Sequence, residues 1–249
     1  MNTDLTGRVA LVSGAARGIG AGIARALAQN GCTVYVGDID EAGARACAAS
    51  LALHGFGVKL DVRDEADARS VVTEIARQHG GLDILVNNAG VLCAGPSDKV
   101  SREEWDRLVA VNLTGVFNCV QAALPAMSGR RGASIVNIAS VSAEKGGGAF
   151  GNIWYGATKA AVVAITKGLA REFGPRGVRV NAISPGIIET DMVRDLITPE
   201  VRARFMPRFP IGRFGREEDV ANVILFLVSD AASFVTGETV AVDGGFLRT

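Results

Sequence analysis

From Arg8 to Val242 the chain repeats one unit: a short apolar run rich in β-branched residues, then a longer helical stretch. The apolar runs cover 8–13, 33–38, 56–61, 82–87, 133–140, 177–184 and 238–242. The helical stretches cover 18–30, 40–53, 64–79, 101–127, 155–173 and 216–229. Ser101, with Glu104 three residues on, has capping-box spacing at the start of the longest of them. A strand, a helix and a second strand in the same sheet close as a right-handed crossover, so the repeat demands a parallel sheet covered on both faces. The expectation is an α/β fold, one doubly wound sheet of about seven strands. At 249 residues the chain suits a single catalytic domain over 1–249. The segment 187–215 breaks the alternation and contains Pro199, Pro207 and Pro210. An insertion after a strand's carboxyl end is where a substrate lid is expected.

Between the first run and the first helix stands Gly14-Ala15-Ala16-Arg17-Gly18-Ile19-Gly20. Gly14, Gly18 and Gly20 permit a tight turn, let backbone N–H groups approach a pyrophosphate, and allow close helix–strand packing. The helix N-terminus, with Ile19, adds its partial positive charge. A lone glycine triad also suits a plain strand–helix turn, so the surroundings matter. Asp38 ends the second run 18 residues past Gly20, close to the spacing of the carboxylate that holds an adenosine ribose. An Asp there accepts hydrogen bonds from both ribose hydroxyls and repels a 2′-phosphate, which favours NAD over NADP. Its other reading is a cap for the next helix. Arg17 either pairs with a 2′-phosphate, which keeps NADP open, or stays solvated. Asp61 and Val62, closing the third run, suit the adenine amino group. Asn88, Ala89 and Gly90 form a polar turn beside the same crevice.

Tyr155 and Lys159 stand four residues apart, on one helix face. The pair is common in sequences, but this chain has only 2 tyrosines. A phenol with a pKa near 10 is a poor proton donor or acceptor at neutral pH. A neighbouring ammonium favours the phenolate and makes Tyr155 usable as a general acid/base. Ser140 closes the fifth run, where its hydroxyl can polarise a substrate carbonyl.

These features together resemble the short-chain dehydrogenase/reductase family. The resemblance runs from Gly7 to Gly245 and rests on the glycine turn, Asn87-Asn88-Ala89-Gly90, Asn112, Ser140, Tyr155 with Lys159, and Pro185-Gly186 followed by Thr190. It implies a Rossmann-type fold and a proton exchanged between Tyr155 and the substrate oxygen. It implies that Lys159 lowers the Tyr155 pKa and binds the nicotinamide ribose, and that Ser140 orients the carbonyl. It gives Asn112 a water relay to Lys159, although a mid-helix Asn is ordinarily solvated or locally bonded. Pro185, Gly186, the Ile188 N–H and the Thr190 hydroxyl would hold the nicotinamide carboxamide. Ser140 lies 15 residues before Tyr155, where many relatives have 13, and Ser142 occupies that position. Because Ser140 ends the apolar run, it is kept as catalytic, and Ser142 becomes a pocket residue. The family also implies a homotetramer built on the 101–127 and 155–173 helices and the last strand.

The implied activity is hydride transfer between a secondary alcohol and a ketone with NAD(H) preferred; a sugar, polyol or hydroxysteroid-like compound would be the substrate. The alternative is an NADPH-dependent 3-oxoacyl-[acyl-carrier-protein] reductase, with Arg131 and Arg176 docking the acidic carrier. A third reading, a cofactor-binding regulator without catalysis, is disfavoured by the presence of Asn112, Ser140, Tyr155 and Lys159 together. Substrate contacts are expected from Ser142, Phe150, Trp154, Ile187 and Met192, with Trp154 either lining the pocket or packing a subunit contact. Composition narrows the rest. Lys plus Arg and Asp plus Glu are 26 each, which leaves no basic excess for nucleic acid. The 4 cysteines form no CxxC pair and lie far from a metal-site spacing with His54 and His79, so no metal is expected. The apolar run 223–228 is far short of the roughly 20 residues that span a bilayer, and no targeting segment is evident, so the expected location is the cytoplasm, away from membranes.

Overall fold

A computed structural model describes residues 3–51, 55–148 and 150–249. Seven strands form one sheet: β1 (Val9–Ser13), β2 (Thr33–Asp38), β3 (Gly55–Lys59), β4 (Ile84–Asn87), β5 (Ser134–Ile138), β6 (Arg179–Pro185) and β7 (Thr239–Val242). Their order is β3-β2-β1-β4-β5-β6-β7, and every pairing is parallel. The chain winds outward from β1 to β3, then returns to β4 on the other side of β1. That reversal leaves a crevice above the carboxyl ends of β1 and β4, the position where doubly wound sheets take ligands.

The helices are α1 (Gly18–Gln29), α2 (Glu41–Ala49), α3 (Glu65–His79), α4 (Arg102–Val109), α5 (Gly115–Met127), α6 (Ser142–Lys145), α7 (Ile153–Phe173), α8 (Asp191–Arg194), α9 (Pro199–Phe205) and α10 (Glu217–Val228). Strand periodicity divides the core in two. Ala10, Val12, Val34 and Val36 face α1 and α10, where Ile23, Leu27, Ile224 and Leu227 bury them. Val9, Leu11, Leu85 and Ile135 face the other way, onto Val72, Ile75, Val120, Leu124 and Val162 of α3, α5 and α7. A third cluster of Val141, Ile187, Phe205, Phe209, Phe214 and Phe246 lies under 187–215.

Two expectations change, and a third segment gains detail. The helix expected over 40–53 ends at Ala49, capped at its start by Asp40, whose Oδ1 accepts from Gly43 N at 3.0 Å; Leu53 and His54 lie outside the described residues. The 101–127 stretch is not one regular helix: α4 and α5 are joined by a π-helical turn, Ala110–Thr114. At 26 residues, Arg102–Met127 is long and apolar enough to cross a membrane, and half of its apolar window is buried against the sheet and α3 as a core helix. The proline-rich 187–215 segment carries α8 and α9, with Thr198 capping α9 through Val201 N.

Candidate active site

The crevice above β1 and β4 encloses about 480 Å³. It is lined by Gly14, Arg17, Gly18, Ile19, Gly20, Asp38, Asp61, Val62, Asn88, Ala89, Gly90, Ser140, Ser142, Tyr155, Lys159, Pro185, Gly186, Ile187, Ile188 and Thr190, all expected from sequence. Asn112 sits just beneath it.

The floor is the glycine turn. Gly14 and Gly18 have φ of +63° and +60°, the left-handed region that favours glycine. A Cβ on Gly14 would stand 2.7 Å from Ala89 Cα, and one on Gly20 would stand 2.4 Å from Gly14 O. The turn therefore packs directly on the strap after β4. Asn88 locks it there: its Nδ2 donates to Ser13 O at 3.0 Å and Gly14 O at 2.7 Å, while Ser13 Oγ accepts from Asn88 N and Ala89 N. The N-terminus of α1 consequently opens into the crevice as an anion site. Asp38 does not cap α2. Its Oδ2 accepts from Ala16 N and its Oδ1 from Asp40 N, both at 3.0 Å, which fixes the carboxylate at the crevice edge. Arg17 is exposed and has no ion-pair partner among the described residues. Asp61 is paired with Arg63 at 2.6 Å, and the hydrogen bonds from Arg63 hold its carboxyl below the usual range.

The proton-transfer side is built by α7. Asn152 caps that helix, its Oδ1 accepting from Trp154 N and Tyr155 N at 3.1 Å each, so the tyrosine leaves the first turn at a fixed angle. The Ser140 hydroxyl is hydrogen-bonded to Tyr155 and accepts from Ser142 N at 3.1 Å. Of the two serines, Ser140 is thus the one joined to the tyrosine. Lys159 is 4% exposed; its Nζ donates to Ile138 O at 2.8 Å and stands 5.8 Å from the Tyr155 ring centroid. Burial pushes the Tyr155 phenol above its ordinary value, and the Ser140 hydrogen bond partly opposes this. Burial pulls Lys159 down to about 8. The expected lowering of Tyr155 by Lys159 is not among the causes of its shift: burial, which penalises the charged form of each group, raises the phenol, and only Ser140 opposes it.

Asn112 lies in the π turn and is 1% exposed. Its Oδ1 accepts from Val91 N at 2.9 Å, and its Nδ2 donates to Val91 O at 3.1 Å and Thr158 Oγ1 at 3.2 Å. A Cβ on Gly90 would stand 3.4 Å from Lys159 Nζ and 3.5 Å from Asn112 Oδ1, so the missing side chain leaves open the space between them. On the opposite wall, Ile188 forms a parallel bridge with Gly215, and Thr190 packs on Gly18. Among the described residues the Ile188 N–H has no intramolecular acceptor. Helix N-terminus, edge carboxylate, polar strap, buried lysine and free N–H together fit a dinucleotide lying from α1 to Tyr155.

Two substrate expectations change. Trp154 does not reach the crevice: its Nε1 donates to Ser97 O at 2.9 Å and its ring meets Trp105 edge-on at 5.6 Å. The Met192 side chain lies outside the described residues. Sequence reasoning named Phe150 and, through the 187–215 segment, Val193, but did not place Ile39, Val91, Leu92, Arg107, Val111 and Phe246 in the crevice, which they also line. None carries a motif; only the run Gly90-Val91-Leu92 after a strand end gave a positional hint.

Residues 14–247 match a family model described as enoyl-(acyl carrier protein) reductase. The chain is 43% identical over 249 residues to an uncharacterized short-chain type dehydrogenase/reductase of Sinorhizobium fredii, covering 98% of each. It is similar to the crystal structure of a Brucella melitensis short-chain dehydrogenase/reductase, glucose/ribitol dehydrogenase, with TM-score 0.93, 40% identity and 99% of each chain covered. It is also similar to a 3-ketoacyl-(acyl-carrier-protein) reductase from Brucella melitensis complexed with NADH, with TM-score 0.89, 36% identity, and 98% of this chain and 99% of that one covered. The crevice residues, the strand order and these likenesses converge: the chain belongs to the short-chain dehydrogenase/reductase family, oxidoreductases that act on CH–OH groups with NAD(P).

Proposed function

We propose that the protein interconverts a secondary alcohol and a ketone with NAD(H) preferred over NADP(H). The observation that carries this reading is the Asp38 carboxylate, fixed at the crevice edge by two backbone N–H groups and not used as a helix cap. A fixed negative charge there accepts from ribose hydroxyls and repels a 2′-phosphate. The N–H groups at the start of α1 would hold the pyrophosphate, Asp61 and Val62 the adenine, and Lys159 the nicotinamide ribose. Pro185, Gly186, Ile188 and Thr190 would hold the carboxamide. When bound, the nicotinamide supplies the hydride donor or acceptor.

The protein's own part is proton handling. With its pKa raised, Tyr155 is a neutral phenol at pH 7 and donates to the oxygen of a ketone. Ser140, hydrogen-bonded to the same hydroxyl, orients that oxygen. Lys159, near 8, both gives and takes a proton close to neutrality, and can restore the tyrosine's. Asn112 positions the Gly90–Val91 strap beside it. The segment 187–215 serves as the substrate lid of one catalytic domain. Exposed Phe117 and Ile153, on α5 and α7, and fully exposed Phe234 before β7 support assembly as a homotetramer through those elements. Arg131 and Arg176 precede β5 and β6, at the sheet edge opposite Ser140 and Tyr155. That placement supports a small-molecule substrate over a carrier-bound one within a single chain.

Parallel titrations of the full chain with NADH and NADPH test the cofactor preference. NADH should bind more tightly, and Asp38→Ala should weaken it roughly 10- to 100-fold while tightening NADPH, because the charge that repels the 2′-phosphate is gone. Tighter binding of NADPH would overturn the role of Asp38 and assign Arg17 to the phosphate.

A further inference from the structure

Beyond Ser140 and Tyr155 the crevice changes character. Val141, Phe150, Ile187 and Phe246 line it, and all four pack into the aromatic cluster under the lid. This wall starts at the proton-transfer residues themselves. Val141 follows Ser140, and a Cβ on Gly151, next to Phe150, would stand 2.3 Å from Tyr155 Cδ1. Phe246 is 2% exposed, with its ring 5.1 Å from Phe209 and 6.4 Å from Phe205. Arg208 and Lys145 stand 4.4 Å and 5.0 Å from its centroid, so the ring is held by cations as well as by packing. Ser142 contributes a hydroxyl beside the wall and is 4% exposed. Apart from the single Ser142 hydroxyl, a polyol bound along this wall would turn its hydroxyls onto rings and aliphatic carbons that return no hydrogen bond. A hydrocarbon or aryl group would release only water.

We propose that the substrate is a secondary alcohol, or its ketone, carried on a hydrocarbon chain or aromatic ring, and that Phe246 sets this preference. The proposal rests on the alcohol–ketone reading above and narrows it away from sugars and polyols. Hydride and proton bookkeeping stay as in that reading: NADH gives hydride to the ketone carbon, the Tyr155 phenol gives its proton to the oxygen, and the C=O π bond is lost. In oxidation the carbinol C–H leaves as hydride to NAD, the C=O bond forms, and the O–H proton passes to Tyr155 as the phenolic proton moves on to neutral Lys159.

The test uses the full chain with NAD and NADP in parallel and three alcohols: 2-octanol, 1-phenylethanol and ribitol. The corresponding ketones are titrated calorimetrically into the chain with and without NADH. The apolar pair should exceed ribitol in kcat/KM, and their ketones should bind more tightly than ribulose, by at least about 100-fold. Phe246→Ala should raise KM for the apolar pair on the order of 10- to 100-fold, with kcat changed less and ribitol unchanged. Phe246→Leu should restore most of the loss. Ribitol matching the apolar pair in turnover and its ketone in binding would overturn the proposal. So would Phe246→Ala lowering all three by one factor in a variant whose NADH affinity is intact. If Phe246→Ala loses its fold or its NADH affinity, Phe246→Val, which keeps an apolar side chain but withdraws the ring from the wall, decides by the same comparison. Turnover with NADP alone would remove the NAD preference and leave the order of alcohols standing. No turnover with either cofactor would remove the alcohol–ketone reading, and the calorimetric order would still decide the pocket.

Discussion

Lys159→Met should make the protein more stable at pH 7. The ammonium is 4% exposed, and burial lowers its pKa from 10.5 to about 8. That difference corresponds to about 3 kcal/mol of destabilisation while the group stays charged. Methionine has a similar volume and needs no proton, but it leaves Ile138 O without the 2.8 Å bond from Nζ, a loss of about 1 kcal/mol. The net gain is then about 2 kcal/mol, or roughly 4–8 °C in Tm for a chain of this size. The pH dependence identifies the cause. The unfolded chain keeps this proton up to pH 10.5 and the folded chain only up to about 8. Between those values the unfolded state binds more protons, so wild-type stability rises with pH and the advantage of the variant shrinks. Urea unfolding at matched protein concentration, at pH 7 and at half-unit steps from pH 8 to 10, reads both quantities. A variant less stable than wild type at pH 7, or an advantage that stays constant across the window, would refute the reasoning.

Three further outcomes follow from the same geometry. Tyr155→Phe should lower hydride-transfer turnover by about 10²- to 10⁴-fold while leaving NADH affinity within about 3-fold, as read by steady-state kinetics and a binding titration. Gly14→Ala places a Cβ 2.7 Å from Ala89 Cα at a φ of +63°. It should cost about 2–4 kcal/mol in urea unfolding and weaken NADH binding with it. Asn112→Ala leaves the Val91 N–H and carbonyl unpaired beneath the crevice and should cost about 2–4 kcal/mol by the same assay.

The parts of this molecule that are periodic or locally punctuated were legible from the residues. Strand β2 runs Thr33–Asp38 as its β-branched pattern predicts, and the glycine turn stands where strand periodicity yields to helix. The site was legible where its members sit at strand ends, as Asp38, Asn88 and Ser140 do. Trp154 misled because sequence adjacency to Tyr155 is not spatial adjacency: consecutive helix positions point about 100° apart. Phe246 was hidden for the opposite reason. It enters the crevice from beyond β7, through tertiary packing on Phe209 that no local pattern encodes. The π turn was invisible because an apolar stretch with one extra residue still reads as a helix. The Tyr155 pKa depends on burial, which the spacing to Lys159 does not carry.

The π turn has a consequence for how this region tolerates change. One added residue acts as a phase shift, turning everything after it by about a quarter revolution about the helix axis. It lets α4 aim Trp105 at Trp154 while α5 aims Cys119 and Ala123 into the core beside α3. A one-residue deletion anywhere in 110–114 would shorten the helix by a trivial length but bring the two halves into one phase. One of the two faces would then point into solvent, and Asn112 would swing off Val91. Length polymorphism here is thus read by the fold as rotation, and it is tolerated far less than substitution at the same positions.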